Sequence, residues 1–282
     1  MKVLMLACFT LLAACATARK PAAVSNAHRL VVQPQDTGAG IAEIKGPHVA
    51  YWNPETSNHK LLITIGGTTA KPEDLADFAS TAVDLGYHVI SVDYFNLVIT
   101  TACRESTDKM CFDKFRREII LGAPVSDLME VDEKNSLVSR LHKFMQYLVA
   151  RDPQWKEFYQ NGDFKWDKVV LMGNSQGAGH AAFLSKMHEV ARVVMLIGPQ
   201  DHFKDHPAPW LTQEGATPGN RYYSFLHRDD YFDSKLQLAC YEYLCHCHDM
   251  SHVIITTKAV EDTHNSLLTP MFRDEWTKLL NF

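Results

Sequence analysis

From residue 60 onward, short apolar segments rich in β-branched residues alternate with segments that have a helical pattern. The segments 61–65 and 88–93 are predicted strands, and the segment 72–85 between them is a predicted helix that begins at a proline and ends before a glycine. Two parallel strands need a long crossover between them, which is usually a helix. The alternation therefore predicts an α/β fold: a mostly parallel central sheet with helices on both faces, in a single domain.

The other predicted elements continue this pattern over one domain at 28–282. A chain of 282 residues with 46% hydrophobic composition can bury the core that such a domain requires. Two short strands are expected first, at 28–34 and 42–52. The segment 94–131 is expected to be irregular and to lie over the carboxyl edge of the sheet. The remaining predicted strands are 168–172, 192–198, 222–227 and 252–257, and the remaining predicted helices are 132–150, 176–189 and 271–280.

The N-terminal segment begins with one lysine, followed by a run of apolar and small residues. This run is too short to span a bilayer core of ~30 Å, so it predicts a secretory signal peptide over 1–14. Leu12-Ala13-Ala14-Cys15 resembles the bacterial lipobox, in which the cysteine becomes the lipidated first residue of the mature chain. The alternative is an ordinary signal peptide with an incidental cysteine.

The lipobox resemblance has consequences for location. It implies that Cys15 carries the lipid, that 15–27 is a tether, and that the lipid alone joins the protein to a membrane. The residue after the cysteine is Ala16 and not an aspartate. By the same resemblance, this implies the outer membrane of a Gram-negative cell. We therefore expect a lipid-anchored protein of the cell envelope, on the periplasmic or the surface face.

The use of cysteine in the remaining chain is typical of an oxidising compartment. Cys103 and Cys111 flank a short polar loop, and we expect a local disulfide between them. In the segment 240–252 one further pair could form and one thiol would be left over, among Cys240, Cys245 and Cys247. Histidines in this segment make metal binding an alternative, but structural zinc sites usually add a second cysteine pair elsewhere. We therefore expect no metal site and no cofactor.

The charge pattern bears on the class of partner. The formal net charge is −5, and the chain has no run rich in Lys and Arg. Nucleic-acid-binding proteins usually present a basic patch or stripe. We therefore expect no nucleic-acid partner.

Ser175 lies in the sequence Gly-Asn-Ser-Gln-Gly at 173–177, between a predicted strand and a predicted helix. A serine hydroxyl is a useful nucleophile only when it is exposed, aligned with a base and close to donors that stabilise an oxyanion. A sharp strand-to-helix turn supplies the exposure, and glycines let the strand and the helix approach. The alternative is a tight turn with an uninvolved serine.

With this motif, the chain from residue 58 to 282 resembles serine hydrolases of the α/β-hydrolase fold, whose catalytic residues follow in the order Ser, acid, His. The resemblance implies Ser175 as nucleophile and His264, after the last predicted strand, as base. It implies Asp230 as the acid, with Asp229 and then Asp201 as alternatives. The implied oxyanion donors are the N–H of Gln176 and an N–H from the turn after an earlier strand, at Gly67 or Thr68.

The expected function is hydrolysis of carboxylic esters through an acyl-enzyme, with a small acyl ester as substrate. The same residues also serve thioesterases and peptidases, and a non-catalytic envelope protein that keeps the fold is a further alternative. The segment between residues 198 and 222 is too short for a large helical lid. We therefore expect the site to be open or to be covered by the segment 94–131.

Overall fold

A computed structural model describes residues 27–282; the predicted signal peptide, Cys15 and all but the last residue of the predicted tether lie outside this range. The described chain forms an eight-stranded sheet in the order β1-β2-β4-β3-β7-β8-β9-β10, in which β2 is antiparallel to both of its neighbours and all other neighbouring strands are parallel. A separate two-stranded hairpin is formed by β5 and β6. The strands are β1 His28–Val32, β2 His48–Trp52, β3 Leu61–Ile65, β4 His88–Ser91, β5 Tyr159–Gln160, β6 Asp163–Phe164, β7 Val169–Asn174, β8 Arg192–Leu196, β9 Tyr222–His227 and β10 Val253–Thr256.

Helices cover both faces of the sheet, as the sequence predicted. One face packs against α2 and α8, and the other packs against the helices between β4 and β10. The helices are α1 Pro34–Thr37, α2 Ala76–Asp84, α3 Cys111–Leu121, α4 Leu137–Arg151, α5 Gln176–Met187, α6 Pro209–Thr212, α7 Ser234–Cys245 and α8 Arg273–Leu280.

The central strands are apolar on both sides, because each side faces a different core. In β3, Leu61, Ile63 and Ile65 belong to one core and Leu62 belongs to the other. All four side chains are fully buried. Such near-continuous apolar runs are typical of parallel strands that are covered on both faces.

The pairing of β3 with β7 brings two functional turns together. These strands are parallel, with Leu61 opposite Val169 and Ile65 opposite Gly173. Both strands therefore end at the same edge of the sheet. The turn after Ile65 lies beside the turn at Ser175.

The second predicted strand, 42–52, is too long at its N-terminal end, since β2 begins at His48. The preceding segment is held by a carboxylate instead of by the sheet. The backbone N–H groups of Ile44 and Lys45 donate to the two oxygens of Asp93, at 2.6 and 2.9 Å. Arg140 lies against the same carboxylate, at 3.5 Å.

The prediction that 94–131 is irregular is wrong for its middle part, which forms α3. After this helix, the loop to residue 131 is organised by the buried carboxylate of Glu118. Its oxygens accept the backbone N–H groups of Val125, Ser126 and Val131 at 2.7, 3.1 and 3.0 Å. These three N–H groups are satisfied by a side chain instead of by a helix or a strand. The sequence of this loop therefore has no helical or strand periodicity.

Other helix boundaries also differ from the prediction. The predicted helix 132–150 begins later, at Leu137, because Ser136 caps it by accepting the N–H of Ser139. Helix α7 was not predicted, and neither was the β5–β6 hairpin. The predicted helices 176–189 and 271–280 are shorter, as α5 and α8.

Two disulfides are present in the described chain. Cys103 is joined to Cys111, as expected, and Cys245 is joined to Cys247. Cys240 is a buried free thiol whose pKa is raised by burial. Among the described residues, no helix is both long enough and apolar enough to cross a bilayer.

Acid should weaken the fold through His48. This side chain is fully buried, its Nδ1 accepts the N–H of Asp93 at 2.9 Å, and burial followed by the charge of Arg140 lowers its pKa to about 3. An unfolded histidine has a pKa of about 6.5. The stabilisation is therefore present above pH 6.5 and is lost as the pH falls from 6.5 toward 3. Between pH 6.5 and 5 we expect this group to lower the free energy of unfolding by up to about 2 kcal/mol.

Urea unfolding at several pH values measures this effect. His48→Asn should remove the corresponding part of the pH slope, whatever it does to stability at neutral pH. His248→Asn is the matched control, since the side chain of His248 is 92% exposed. An unchanged slope in His48→Asn would contradict the assignment.

Candidate active site

Ser175 occupies a strained turn between β7 and α5. Its φ is +52° and its ψ is −121°, a conformation that non-glycine residues rarely adopt. A Cβ at Gly177 would overlap the carbonyl oxygen of Ile65, and a Cβ at Gly173 would overlap the carbonyl of Gly177. The two glycines of the motif are therefore required by close backbone approach, and the serine between them is lifted from the strand edge.

Three predicted residues form one continuous hydrogen-bonded chain. Ser175 Oγ lies 2.8 Å from His264 Nε2, and His264 Nδ1 lies 2.8 Å from Asp230 Oδ2. Each follows the end of a parallel strand, β7, β9 or β10, so the sheet brings them to one edge. With Nδ1–H donated to the carboxylate, Nε2 is free to accept the serine proton.

Asp230 is held firmly by neighbours. Its Oδ1 accepts the N–H of Phe232 at 2.8 Å, and its Oδ2 accepts Gln237 Nε2 at 3.1 Å as well as His264 Nδ1. The ring of Phe232 packs edge-on against that of His264, with centroids 4.7 Å apart. The carboxylate and the imidazole are both buried, so their orientations are fixed before any substrate binds.

The two alternative acids lie elsewhere. Asp229 is half-exposed and pairs with Arg228 at 2.9 Å. Asp201 is fully buried and forms two hydrogen bonds with Arg116, at 2.6 and 2.9 Å. Only Asp230 of the three carboxylates reaches His264.

His180, a histidine of α5 close to Ser175 in the chain, lies in the core instead of at the site. It is fully buried, and its ring packs against Tyr94 and Phe115. Burial, and then the charge of Arg116, lowers its pKa well below the usual value. It is a neutral core histidine.

Of the predicted oxyanion donors, Gly67 is already engaged. Its N–H donates to Asn174 Oδ1 at 2.9 Å. The backbone N–H groups of Thr68 and Gln176 donate to no acceptor within the described chain. The side chains of these two residues meet, with Thr68 Oγ1 donating to Gln176 Oε1 at 2.8 Å. Thr68 and Gln176 are thus the pair with free donors beside Ser175.

The turn that carries Thr68 is fixed by residues that the sequence analysis missed. Asn174 anchors Gly67, and Asn96 Nδ2 donates to the carbonyls of Gly67 and Ala70 at 2.8 Å each. Tyr94 donates its hydroxyl proton to the carbonyl of Gly66. The position of Asn174 inside the Gly-Asn-Ser-Gln-Gly motif was the signal that could have identified it.

A further missed residue is Arg116, which is fully buried below the serine. Besides Asp201, it donates to the backbone carbonyl of Gln176 at 2.7 Å. It therefore ties α3 to the first turn of α5. Its position four residues after Phe112 and three before Ile119, on the apolar face of α3, was the available signal.

The serine opens into a pocket with a volume of about 610 Å³. His264, Tyr231 and Phe232 form one wall, and the turn at Thr68 forms the other. Ile99 also lines it, so the segment 94–131 contributes to this large pocket, whereas the segment 199–221 does not. Within residues 27–282, no group of three His, Cys, Asp or Glu side chains is arranged to hold a metal ion.

Replacing Asp201 should affect stability. Asp201→Asn would leave the charge of Arg116 buried and half-paired, so we expect the free energy of unfolding to fall by about 3–5 kcal/mol. Asp229→Asn, at an exposed pair, should change it by less than about 0.5 kcal/mol. Urea titration of both variants tests this, and equal stability of the two would contradict a structural role for Asp201.

The chain matches no protein-family model and no curated protein. Among solved structures, esterase B from Lactobacillus rhamnosis, in a structure with a tributyrin phosphonate, is similar over 93% of this chain and 89% of its own, with 14% identity and a TM-score of 0.50. A second similar structure is that of MGS-M1, an alpha/beta hydrolase enzyme from a Medee basin deep-sea metagenome library. The similarity extends over 92% of this chain and 91% of MGS-M1, with 11% identity and a TM-score of 0.50. At such identities the similarity concerns the fold. The chain has the α/β-hydrolase fold that its sequence predicted.

Proposed function

We propose that the protein is a serine hydrolase that cleaves carboxylic esters through an acyl-enzyme. The observation that carries this proposal is the hydrogen-bonded chain from Asp230 through His264 to Ser175, at a strained turn beside free N–H groups. A nucleophile, a base, a group that orients the base and oxyanion donors are the four parts that acyl transfer needs.

The geometry supports a two-step reaction. Ser175 Oγ attacks the ester carbonyl and gives its proton to His264 Nε2, while the N–H groups of Thr68 and Gln176 stabilise the oxyanion. The C–O bond to the alcohol then breaks, and His264 returns the proton to the departing alcohol. In the second step His264 deprotonates a water that attacks the acyl-enzyme, which releases the acid and restores Ser175.

An ester is favoured over the thioester and peptide alternatives by the shape of the site. The pocket is open, and no large helix of residues 27–282 covers it, which suits small ester substrates. Esterase B, one of the similar structures, was solved with a tributyrin phosphonate. A panel of matched esters, thioesters and amides with the same acyl group tests the ranking, and faster thioester or amide hydrolysis, after correction for intrinsic reactivity, would overturn it.

Ser175→Ala should abolish both ester hydrolysis and labelling by methanesulfonyl fluoride. This small reagent transfers a methylsulfonyl group to an activated serine with loss of fluoride, and mass spectrometry reads the modified residue. Ser251→Ala, at an exposed serine, is the matched control and should keep both. A wild-type protein with neither labelling nor turnover would favour the non-catalytic alternative, and labelling of Ser175→Ala would relocate the nucleophile.

Asp230→Asn should lower kcat by about 10³–10⁴-fold, because the imidazole would lose its orienting carboxylate and adopt the wrong tautomer. Asp229→Asn, the neighbouring control, should stay within about twofold, since its side chain faces Arg228 and solvent. The measurement is kcat on one ester for each folded variant. A larger loss at Asp229 would reverse the assignment.

We also propose, from the lipobox resemblance alone, that Cys15 carries a lipid that anchors the protein in the cell envelope, in the outer membrane. Labelled palmitate should enter the wild-type protein and the Cys8→Ser control, because residue 8 belongs to the signal peptide. Cys15→Ser should remove the label and release the protein from the membrane fraction. Palmitate incorporation into Cys15→Ser would refute the anchor.

A further inference from the structure

A second, much smaller cavity adjoins Ser175 and borders the large pocket. Its volume is about 10 Å³, compared with about 610 Å³ for the large pocket measured in the same way. On that scale a single water molecule requires roughly 10–15 Å³. The cavity therefore has room for a group of about the size of a water or a methyl.

The two cavities differ in which catalytic group they contain. They share the lining residues Thr68, Ile99, Ser175 and Phe232, but His264 lines only the large pocket and Gln176 lines only the small cavity. The alcohol must leave next to His264 Nε2, because that atom supplies its proton. The alcohol part of an ester therefore occupies the large pocket, and the acyl substituent points into the small cavity.

The floor of the small cavity cannot deepen. It is formed by Arg116 and Asp201, both fully buried, and Trp210 Nε1 adds a hydrogen bond of 2.9 Å to the same carboxylate. Arg116 is further tied to the carbonyl of Gln176. To admit a longer chain, the protein would have to break a buried ion pair, which is strongly destabilising.

The walls of the small cavity combine polar groups with the apolar side chains of Ile99 and Phe232. Gln200 and Thr101 line it, and the buried hydroxyl of Thr100, also in the wall, has no hydrogen-bond partner in the described chain. A longer aliphatic chain would press against these groups without satisfying them. Of the two apolar wall residues, Phe232 is held against His264.

From these observations we infer that the protein is selective for acetyl esters of larger alcohols. This inference rests on the proposed ester hydrolase function and names its acyl group. An acetyl group places a single methyl in the small cavity, whereas a butyryl group adds two methylenes for which there is no space. Ser175 would release acetate and the free alcohol.

The test is a series of 4-nitrophenyl esters from acetate to octanoate, with each kcat/KM divided by the rate of the same ester with hydroxide. We expect acetate to exceed butyrate at least about tenfold, since one misfitting methylene changes kcat/KM by about 10–200-fold. A corrected profile that is flat, or that rises toward butyrate or octanoate, would overturn the inference.

Two variants widen the cavity without touching its ion pair. Gln200→Ala removes a side chain from the wall and should raise kcat/KM for butyrate at least about tenfold relative to acetate. Gln213→Ala, the same change at an exposed position outside both cavities, should keep the wild-type ratio.

Ile99→Ala is the second widening variant. It is safe for folding, since Ile99 is 42% exposed, and it should shift the ratio of butyrate to acetate kcat/KM in the same direction. An unchanged ratio in both widening variants would overturn the inference.

Labelling by methanesulfonyl fluoride separates this inference from the proposed function. Its methyl group fits the small cavity, so labelling depends on an activated serine and not on acyl length. Labelling of Ser175 together with a flat ester profile would overturn acetyl selectivity and leave the hydrolase proposal standing. Absence of labelling together with absence of turnover on every ester would overturn both.

Discussion

The site depends on the parallel pairing of β3 with β7, because this pairing sets two turns side by side. Ile65 lies opposite Gly173, and the chain then turns at Gly66 on one strand and at Ser175 on the other. The contact is so close that a Cβ at Gly177 would overlap Ile65. The hydrogen bond from Gly67 N–H to Asn174 Oδ1 then fixes the turns to each other. Any change that separates these strands would move the N–H of Thr68 away from Ser175.

The fold and the three linked residues could be predicted because the signals for them are local. Ser175 follows an apolar strand and lies between two glycines, and His264 and Asp230 each follow a predicted strand. Parallel strands bring such positions to one edge. The order of the acid candidates was harder, since Asp229 and Asp230 are neighbours in the same turn. The choice is made by the hydrogen bond to His264, a contact with a segment more than thirty residues away.

The missed elements are organised by contacts between distant segments. The loop after α3 gets its shape from Glu118, whose partners are up to 13 residues away. Arg116 is an arginine on an apolar helix face, and its partner Asp201 is 85 residues away. No local sequence pattern specifies such pairs, because a charge can be buried only where the fold places an oppositely charged group beside it.

The disulfide between Cys103 and Cys111 joins two segments that both line the small cavity beside Ser175. The segment before Cys103 contributes Ile99 and Thr100 to the small cavity, and the helix that begins at Cys111 contributes Arg116 to its floor. The bridge thus links wall and floor covalently. The dimensions of the space beside Ser175 are therefore coupled to the redox state of the compartment in which the chain folds.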